Sequence, residues 1–207
     1  EDVSFGRLED GGGMMERLFQ SSPELSNSIS EGIIFSHESG FYPAAIELEM
    51  ASTNGHEIRF TTDGSNPTGT SPLYSSPENL GSLDLVPDVI SNINTSPSWS
   101  APEEDNFKAH VIKAATYSDG EQTSNVYTKV IFIHPDLNER YETFDIISIV
   151  TDPGNLFDHD TGIYVKGVHY SPGDPTWSGN YFQKGELWER KANLQYFNTA
   201  GELQFNQ

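Results

Sequence analysis

Polar and apolar residues alternate along much of this chain. In Ala45-Ile46-Glu47-Leu48-Glu49-Met50, the apolar Ile46, Leu48 and Met50 share one face and Glu47 and Glu49 the other. That period of two predicts a half-buried strand. Thr53-Asn54-Gly55 reads as a hairpin turn, because Asn-Gly readily takes positive φ, and Ile58-Arg59-Phe60-Thr61-Thr62 is the predicted return strand. A second turn falls at Asp63-Gly64-Ser65-Asn66-Pro67. Residues 108–117 and 125–133 predict two more strands, with Ser118-Asp119-Gly120 turning the first of them. In residues 144–150 the run Ile146-Ile147-Ser148-Ile149-Val150 predicts the most buried strand of the chain. Residues 187–197 alternate again up to the Ala200-Gly201 turn, and Leu203-Gln204-Phe205 opens a further strand.

Several short strands separated by turn signals predict a mainly β fold with an immunoglobulin- or fibronectin-like β-sandwich. The segments between them are polar. Residues 69–106 are rich in Ser, Pro, Asn and Asp around one apolar patch at 83–93. An excursion of that length is uncommon and is often functional or disordered. Residues 135–142 read as a polar hinge and residues 151–185 as loop, punctuated by Pro and Gly. At the start, Val3-Ser4-Phe5-Gly6-Arg7 alternates briefly before the break at Gly11-Gly12-Gly13. Residues 1–10 and 203–207 thus present strand edges without evident partners. Such edges invite pairing, so these ends are expected to be covered by another chain, to pair with each other or to pack on the sandwich.

Charge narrows the partners. The 207 residues carry 11 Lys and Arg against 31 Asp and Glu, a formal net charge of −20. A surface that negative repels phosphate backbones and anionic lipid, which argues against nucleic acid and membrane surfaces. Divalent cations, basic proteins and neutral glycans fit it better. There is no cysteine, so disulfides and Cys-based zinc or redox sites are excluded. No apolar run approaches the roughly 20 residues of a membrane span. Glu1 and Asp2 are acidic where an export signal begins basic, so any such signal is expected upstream.

Resemblances to known families run along the chain in order. Val3-Ser4-Phe5-Gly6-Arg7, the Gly-rich break and Ser22-Pro23-Glu24-Leu25-Ser26-Asn27 resemble the end of a lamin-tail domain, covering residues 1–27 with a linker. Glu57-Ile58-Arg59-Phe60-Thr61-Thr62-Asp63-Gly64-Ser65-Asn66-Pro67-Thr68, with Phe35-Ser36, Gly40-Phe41-Tyr42 and Ser124-Asn125-Val126-Tyr127-Thr128, resembles the chitobiase C-terminal-like β-sandwich, covering 28–135. Ile149-Val150-Thr151-Asp152-Pro153, Asn155-Leu156-Phe157-Asp158, Thr161-Gly162-Ile163-Tyr164-Val165 and Asn180-Tyr181-Phe182-Gln183 with Trp188-Glu189-Arg190 resemble the start of a CotH-kinase-like domain, covering 136–207. Lys191 departs from the Pro usual there. The last resemblance implies an incomplete α+β segment like the N-lobe of an atypical kinase. It also implies a parent protein that transfers phosphate from ATP, with Mg²⁺, to secreted proteins. The family's nucleotide-contacting Lys and metal-binding carboxylates lie beyond the matched residues, so no catalytic residue is carried over. The chain is expected to be a non-catalytic spacer in an exported, bacterial cell-surface protein. Its expected partners are other protein chains or the remainder of its own parent.

Two constellations have chemistry of their own. Asp158-His159-Asp160-Thr161-Gly162 places carboxylates at alternate positions before a Gly, as short calcium loops begin, and Asp152 is the candidate third carboxylate. The same residues suit an Asx turn bonding its own backbone. Trp99, Trp177, Tyr181 and Trp188 offer flat rings for stacking on a glycan, or for packing in a core or interface. The six His residues show no metal-ligand spacing, and Glu103-Glu104-Asp105 reads as a solvated loop.

Overall fold

A computed structural model describes residues 4–6, 16–18, 32–104 and 106–207. In chain order, its strands up to residue 135 are Ser4–Gly6 (β1), Glu16–Leu18 (β2), Ile33–Phe35 (β3), Gly40–Tyr42 (β4), Ile46–Leu48 (β5), Met50–Ser52 (β6), Glu57–Thr61 (β7), Glu78–Leu80 (β8), His110–Ser118 (β9), Glu121–Gln122 (β10) and Tyr127–Ile133 (β11). After residue 135 come the short helix Leu137–Arg140 (α1), strand Ile146–Val150 (β12), helix Pro153–Phe157 (α2), and strands Asn193–Phe197 (β13) and Leu203–Asn206 (β14). The chain is mainly β, as its alternation predicts.

The centre is a five-stranded sheet in which β9 lies between β7 on one side and β10 and β11 on the other, with β4 parallel to β11 at the edge. One face of this sheet points Ile58, Phe60, Ile112, Ala114, Ile131 and Ile133 at Ile33, Leu48, Met50 and Leu80. Those partners come from two small paired sheets, β3–β6 and β5–β8, which complete the sandwich. Ile46, Leu48 and Met50 do share the inward face, with Glu47 and Glu49 exposed.

The opposite face of the same sheet is covered too. Val130 and Phe132 of β11 pack with Leu137, Val150 and Phe197, and Phe41, Phe107, Tyr141, Ile146 and Leu203 close around them. Strand β11 is therefore buried on both faces, which explains its continuous apolar run Val130-Ile131-Phe132-Ile133. Residues 136–207 supply this second cover through the antiparallel sheet β12–β13–β14.

Turn chemistry holds where two residues close a hairpin. Asp119 (φ 52°) and Gly120 (φ 84°) both take positive φ between β9 and β10, the requirement of a type I′ turn, with Ser118 paired to Glu121.

Several expectations are corrected. Thr53-Asn54-Gly55 turns the chain, but β6 and β7 do not pair. Strand β6 pairs with β3 and β7 with β9, so Met50 and Ile58 meet across the core as opposite layers. The Asn54 side chain instead accepts the His56 N–H at 3.1 Å, an Asx turn rather than a hairpin closure. Residues 135–142 are not a polar hinge: α1 forms there, because Leu137 fills the space beside Phe132 and Phe197. The run in β12 is not the most buried strand. Only one neighbour, β13, pairs with it among the described residues, and Ile147 and Ile149 are 64% and 69% exposed.

Residues 187–192 are not strand. Glu186–Trp188 is a 3₁₀ turn, and the Arg190 guanidinium takes the carbonyls of Leu187 and Glu189, both at 2.9 Å, that a ladder would need. Among the described residues of the two end segments, β1 pairs with β2, β14 pairs with β13, and Glu202 bridges to Gly40. The remaining residues of the lamin-tail-like reading, and Asp105, lie outside the described residues.

Candidate functional site

The junction between the sandwich and residues 136–207 is built from both recognisable motifs. Asp63-Gly64-Ser65-Asn66-Pro67 forms a tight turn in which the Asp63 carboxylate accepts the Ser65 N–H at 3.0 Å and the Ser65 hydroxyl at 2.5 Å. These bonds hold the Asp63 carboxyl below the usual carboxylate range. Across the junction, Asp152 caps α2: its Oδ1 accepts the Gly154 N–H at 2.9 Å, with Pro153 in the first helical turn. Its Oδ2 accepts the Asn66 N–H at 3.2 Å. Lys113, a β9 residue only 5% exposed, donates from its ammonium to Asn66 Oδ1 at 3.1 Å. Burial pushes that ammonium's pKa down, while the Asp152 and Asp63 carboxylates pull it back up.

A second polar tie lies deeper. Gln195 is buried on β13 and its Nε2 donates to Thr128 O of β11 at 3.1 Å and to Asn193 Oδ1 at 3.0 Å. Beside it, Phe197 meets Phe132 edge-on, with ring centroids 5.5 Å apart. An aromatic pair of this kind adds about 0.5–1.5 kcal/mol beyond the area it buries.

Two of the three candidate metal carboxylates, Asp152 and Asp158, serve backbone donors. Asp152 has the two partners just described. Asp158 Oδ1 accepts the Thr161 N–H at 2.8 Å, the Asp160 N–H at 2.9 Å and the Thr161 hydroxyl at 2.9 Å. The Thr161 bonds come first in holding its carboxyl below the usual range. Asp160 is exposed and lies 2.8 Å from His159 Nδ1. Among the described residues no group of three or more His, Cys, Asp or Glu side chains is arranged to hold a metal ion.

The loop around Asp158 and Asp160 is organised by Asn180, which the sequence offers only as part of the Asn180-Tyr181-Phe182-Gln183 string. Asn180 is buried, and its Nδ2 donates to Gly162 O at 3.0 Å and His159 O at 3.1 Å, while its Oδ1 accepts the His169 N–H at 3.3 Å. Gly167 (φ 54°) lies directly against it, and a Cβ there would collide with the Asn180 amide. Arg190 closes the far side by bonding Thr161 O and lying over the Trp188 ring at 5.5 Å. The strings Thr161-Gly162 and Asn180-Tyr181 are thus parts of one scaffolded loop.

The aromatic candidates separate. Trp177 is 73% exposed and pairs with Phe182 at 5.9 Å, and Phe182 pairs with Tyr181 at 5.2 Å. Trp188 instead meets His169 at 5.3 Å. Trp99 sits in the excursion and forms no ring pair with the other three among the described residues. Phe182, the ring that joins Trp177 to Tyr181, is not among the four stacking candidates read from the sequence.

The excursion itself is anchored at Asp88. Its carboxylate pairs with Lys108 at 2.7 Å and accepts the Asn106 N–H at 2.9 Å, and these contacts, Lys108 first, lower its pKa to about 2. The apolar residues around that anchor, Leu85, Val86, Val89 and Ile90, are exposed.

The family model described as Fn3 associated matches residues 46–131, from β5 to β11. That match spans most of the sandwich and gives it as a β-sandwich-like domain. No curated protein and no solved structure matches the chain. Among the described residues, no helix is long and apolar enough to cross a membrane.

Proposed function

We propose that this chain is a bracing and presenting segment of an exported, multidomain surface protein. In this reading a Fn3-associated-like sandwich over residues 28–135 holds a CotH-like segment, residues 136–207, in one fixed orientation. The CotH-like and lamin-tail-like parts rest on their sequence motifs. Phosphate transfer belongs, in the same reading, to a complete parent kinase domain and not to these residues.

One observation carries the proposal. The second core is shared: Val130 and Phe132 come from the sandwich, while Val150 and Phe197 come from the segment it supports. A spacer joined only by a linker has no need of such a core. Inter-domain contacts that are large and apolar suppress relative motion. The Asp152–Asn66–Lys113 bonds fix the rotation that apolar packing leaves free.

Scanning calorimetry of the 207-residue chain tests this. A single cooperative transition, lost as one unit, is the expected result. Two separable transitions would show that the sandwich does not brace residues 136–207.

A second reading is favoured by the exposed Trp177 and Phe182 rings with the half-buried Tyr181 beside them: a binding module for neutral glycans at a cell surface. Titration calorimetry with neutral oligosaccharides, on the native chain and on Trp177→Ala, separates the two. Heat of binding that disappears in the variant favours the module. No heat from any glycan leaves bracing alone.

A further inference from the structure

We infer that the edge of β12 left unpaired among the described residues, and the outer face of its sheet, form a strand-addition site for an extended polypeptide with apolar residues at alternate positions and Lys or Arg flanks. The inference deepens the bracing role, and rests on it, because the sheet must be held still to act as a template.

The geometry of the edge comes first. Leu194 and Gln207 exchange backbone hydrogen bonds at 2.9 and 3.0 Å, so the N–H and C=O of Leu194 point toward β14. In an antiparallel ladder these directions alternate. Asn193, Gln195 and Phe197 therefore turn toward their β12 partners Val150, Ser148 and Ile146. The N–H and C=O groups of Ile147 and Ile149 are left pointing away from the sheet, and among the described residues no strand takes them. Nothing within Ile146–Val150 blunts this edge: it holds no Lys, no Pro and no bulge, the usual protections of an edge strand. The register shift of this sheet lies at Tyr196/Phe197, toward β14.

The side chains add a second, independent feature. Ile147 and Ile149 project to the outer face, where their cross-strand partners are Tyr196 and Leu194, and Tyr196 in turn faces Phe205. Leu194 and Phe205 are exposed as well. An added strand would continue this apolar row with its own alternate side chains while its backbone takes the free groups, the mode in which main-chain bonds give affinity and alternate side chains give specificity.

Charge decides the occupant. Asp145 stands at the start of the edge, exposed, with its Oδ2 accepting the Tyr196 hydroxyl at 2.6 Å. The whole chain has a formal charge of −20, so a basic-flanked strand is attracted and a second copy is repelled.

The test uses a fluorescein-labelled peptide, Lys-Lys-Val-Thr-Val-Thr-Val-Lys-Lys, titrated into the 207-residue chain and followed by anisotropy. Two further probes bear N-methyl groups on one or the other alternate set of residues. Saturable binding is expected, weakened by salt. One N-methyl probe is expected to bind as the parent does and the other to lose at least about tenfold in affinity, or 1.4 kcal/mol. Ile147→Lys and Ile149→Lys, both at exposed positions, are expected to weaken binding by a similar factor. The inference is overturned if both N-methyl probes bind equally, or if a Glu-flanked peptide binds as tightly. It is also overturned if sedimentation shows the chain alone pairing as a dimer that Ile149→Lys dissolves. Absence of binding to a chain that still melts as one unit defeats this inference alone; two melting transitions defeat the bracing reading beneath it.

Discussion

Strand β12 (Ile146–Val150) is the more apolar by sequence, yet strand β9 (His110–Ser118) is the more buried. Strand β9 pairs with β7 along one side and with β10 and β11 along the other, and its sheet is covered on both faces. Ile112, Ala114, Ala115 and even Lys113 and Thr116 are buried in it. Strand β12 has one paired neighbour among the described residues and one covered face, so Ile146 and Val150 are packed while Ile147 and Ile149 face outward. Burial in this protein is set by how many layers and neighbours a strand acquires, more than by its own hydrophobicity. Lys113 shows the limit of that rule: it is accommodated because Asn66 bonds it and Asp152 and Asp63 offset its charge.

Substitutions can break this contrast in order of size. Phe197→Ala removes a fully buried ring from the core shared by the two regions. It is expected to cost about 3–5 kcal/mol in denaturant unfolding, and to split one transition into two if the sandwich survives alone. Asp152→Ala removes a helix cap and the acceptor of the Asn66 N–H. A loss of about 1–2 kcal/mol is expected, measured the same way. By contrast, Ile149→Thr on the outer face is expected to change stability by less than about 0.5 kcal/mol. An Ile149→Thr cost comparable to that of Phe197→Ala would show that the outer face is covered after all.

The smallest effect is one of pH. The Lys108 and Asn106 bonds lower Asp88 from 3.8 to about 2 in the folded chain. A carboxyl depressed on folding contributes stability that is fully present above the unfolded value and is lost as pH falls through the folded one. The anchor of the excursion should therefore persist through pH 3.8 and release near pH 2. The Asn106 amide shift in an NMR titration reports this directly; a midpoint near 3.8 would mean that the Lys108 contact does not hold in solution.

Much of the fold is legible in the sequence because alternation and turn chemistry are local. The face shared by Ile46, Leu48 and Met50 comes from a period of two, and the Asp119-Gly120 turn from φ preference alone. What fails is non-local. A continuous run such as Ile146-Ile147-Ser148-Ile149-Val150 looks the same at the centre of a sheet and at its edge. The turn at Asn54-Gly55 is real, yet the strands it joins find their partners in different sheets. Residues 187–192 alternate, but Arg190 takes the carbonyls that pairing requires.

The candidate sites divide in the same way. An Asx turn at Asp158 is readable as one of two alternatives, since its partners lie within three residues. Phe182 is not readable as the ring between Trp177 and Tyr181, nor Asn180 as the hub of its loop. Their partners lie far along the chain or depend on side-chain direction, and neither leaves a periodic trace.

Amide hydrogen exchange along β12 and β13, residue by residue, tests most directly the claim that one side of the terminal sheet is locked to the sandwich and the other is open. The amides of Ile146, Ser148 and Val150, together with Gln195 and Phe197, are expected to exchange as slowly as those of β9, while Ile147 and Ile149 exchange rapidly. Uniform protection across Ile146–Val150, or uniformly fast exchange throughout β12 and β13, would contradict it.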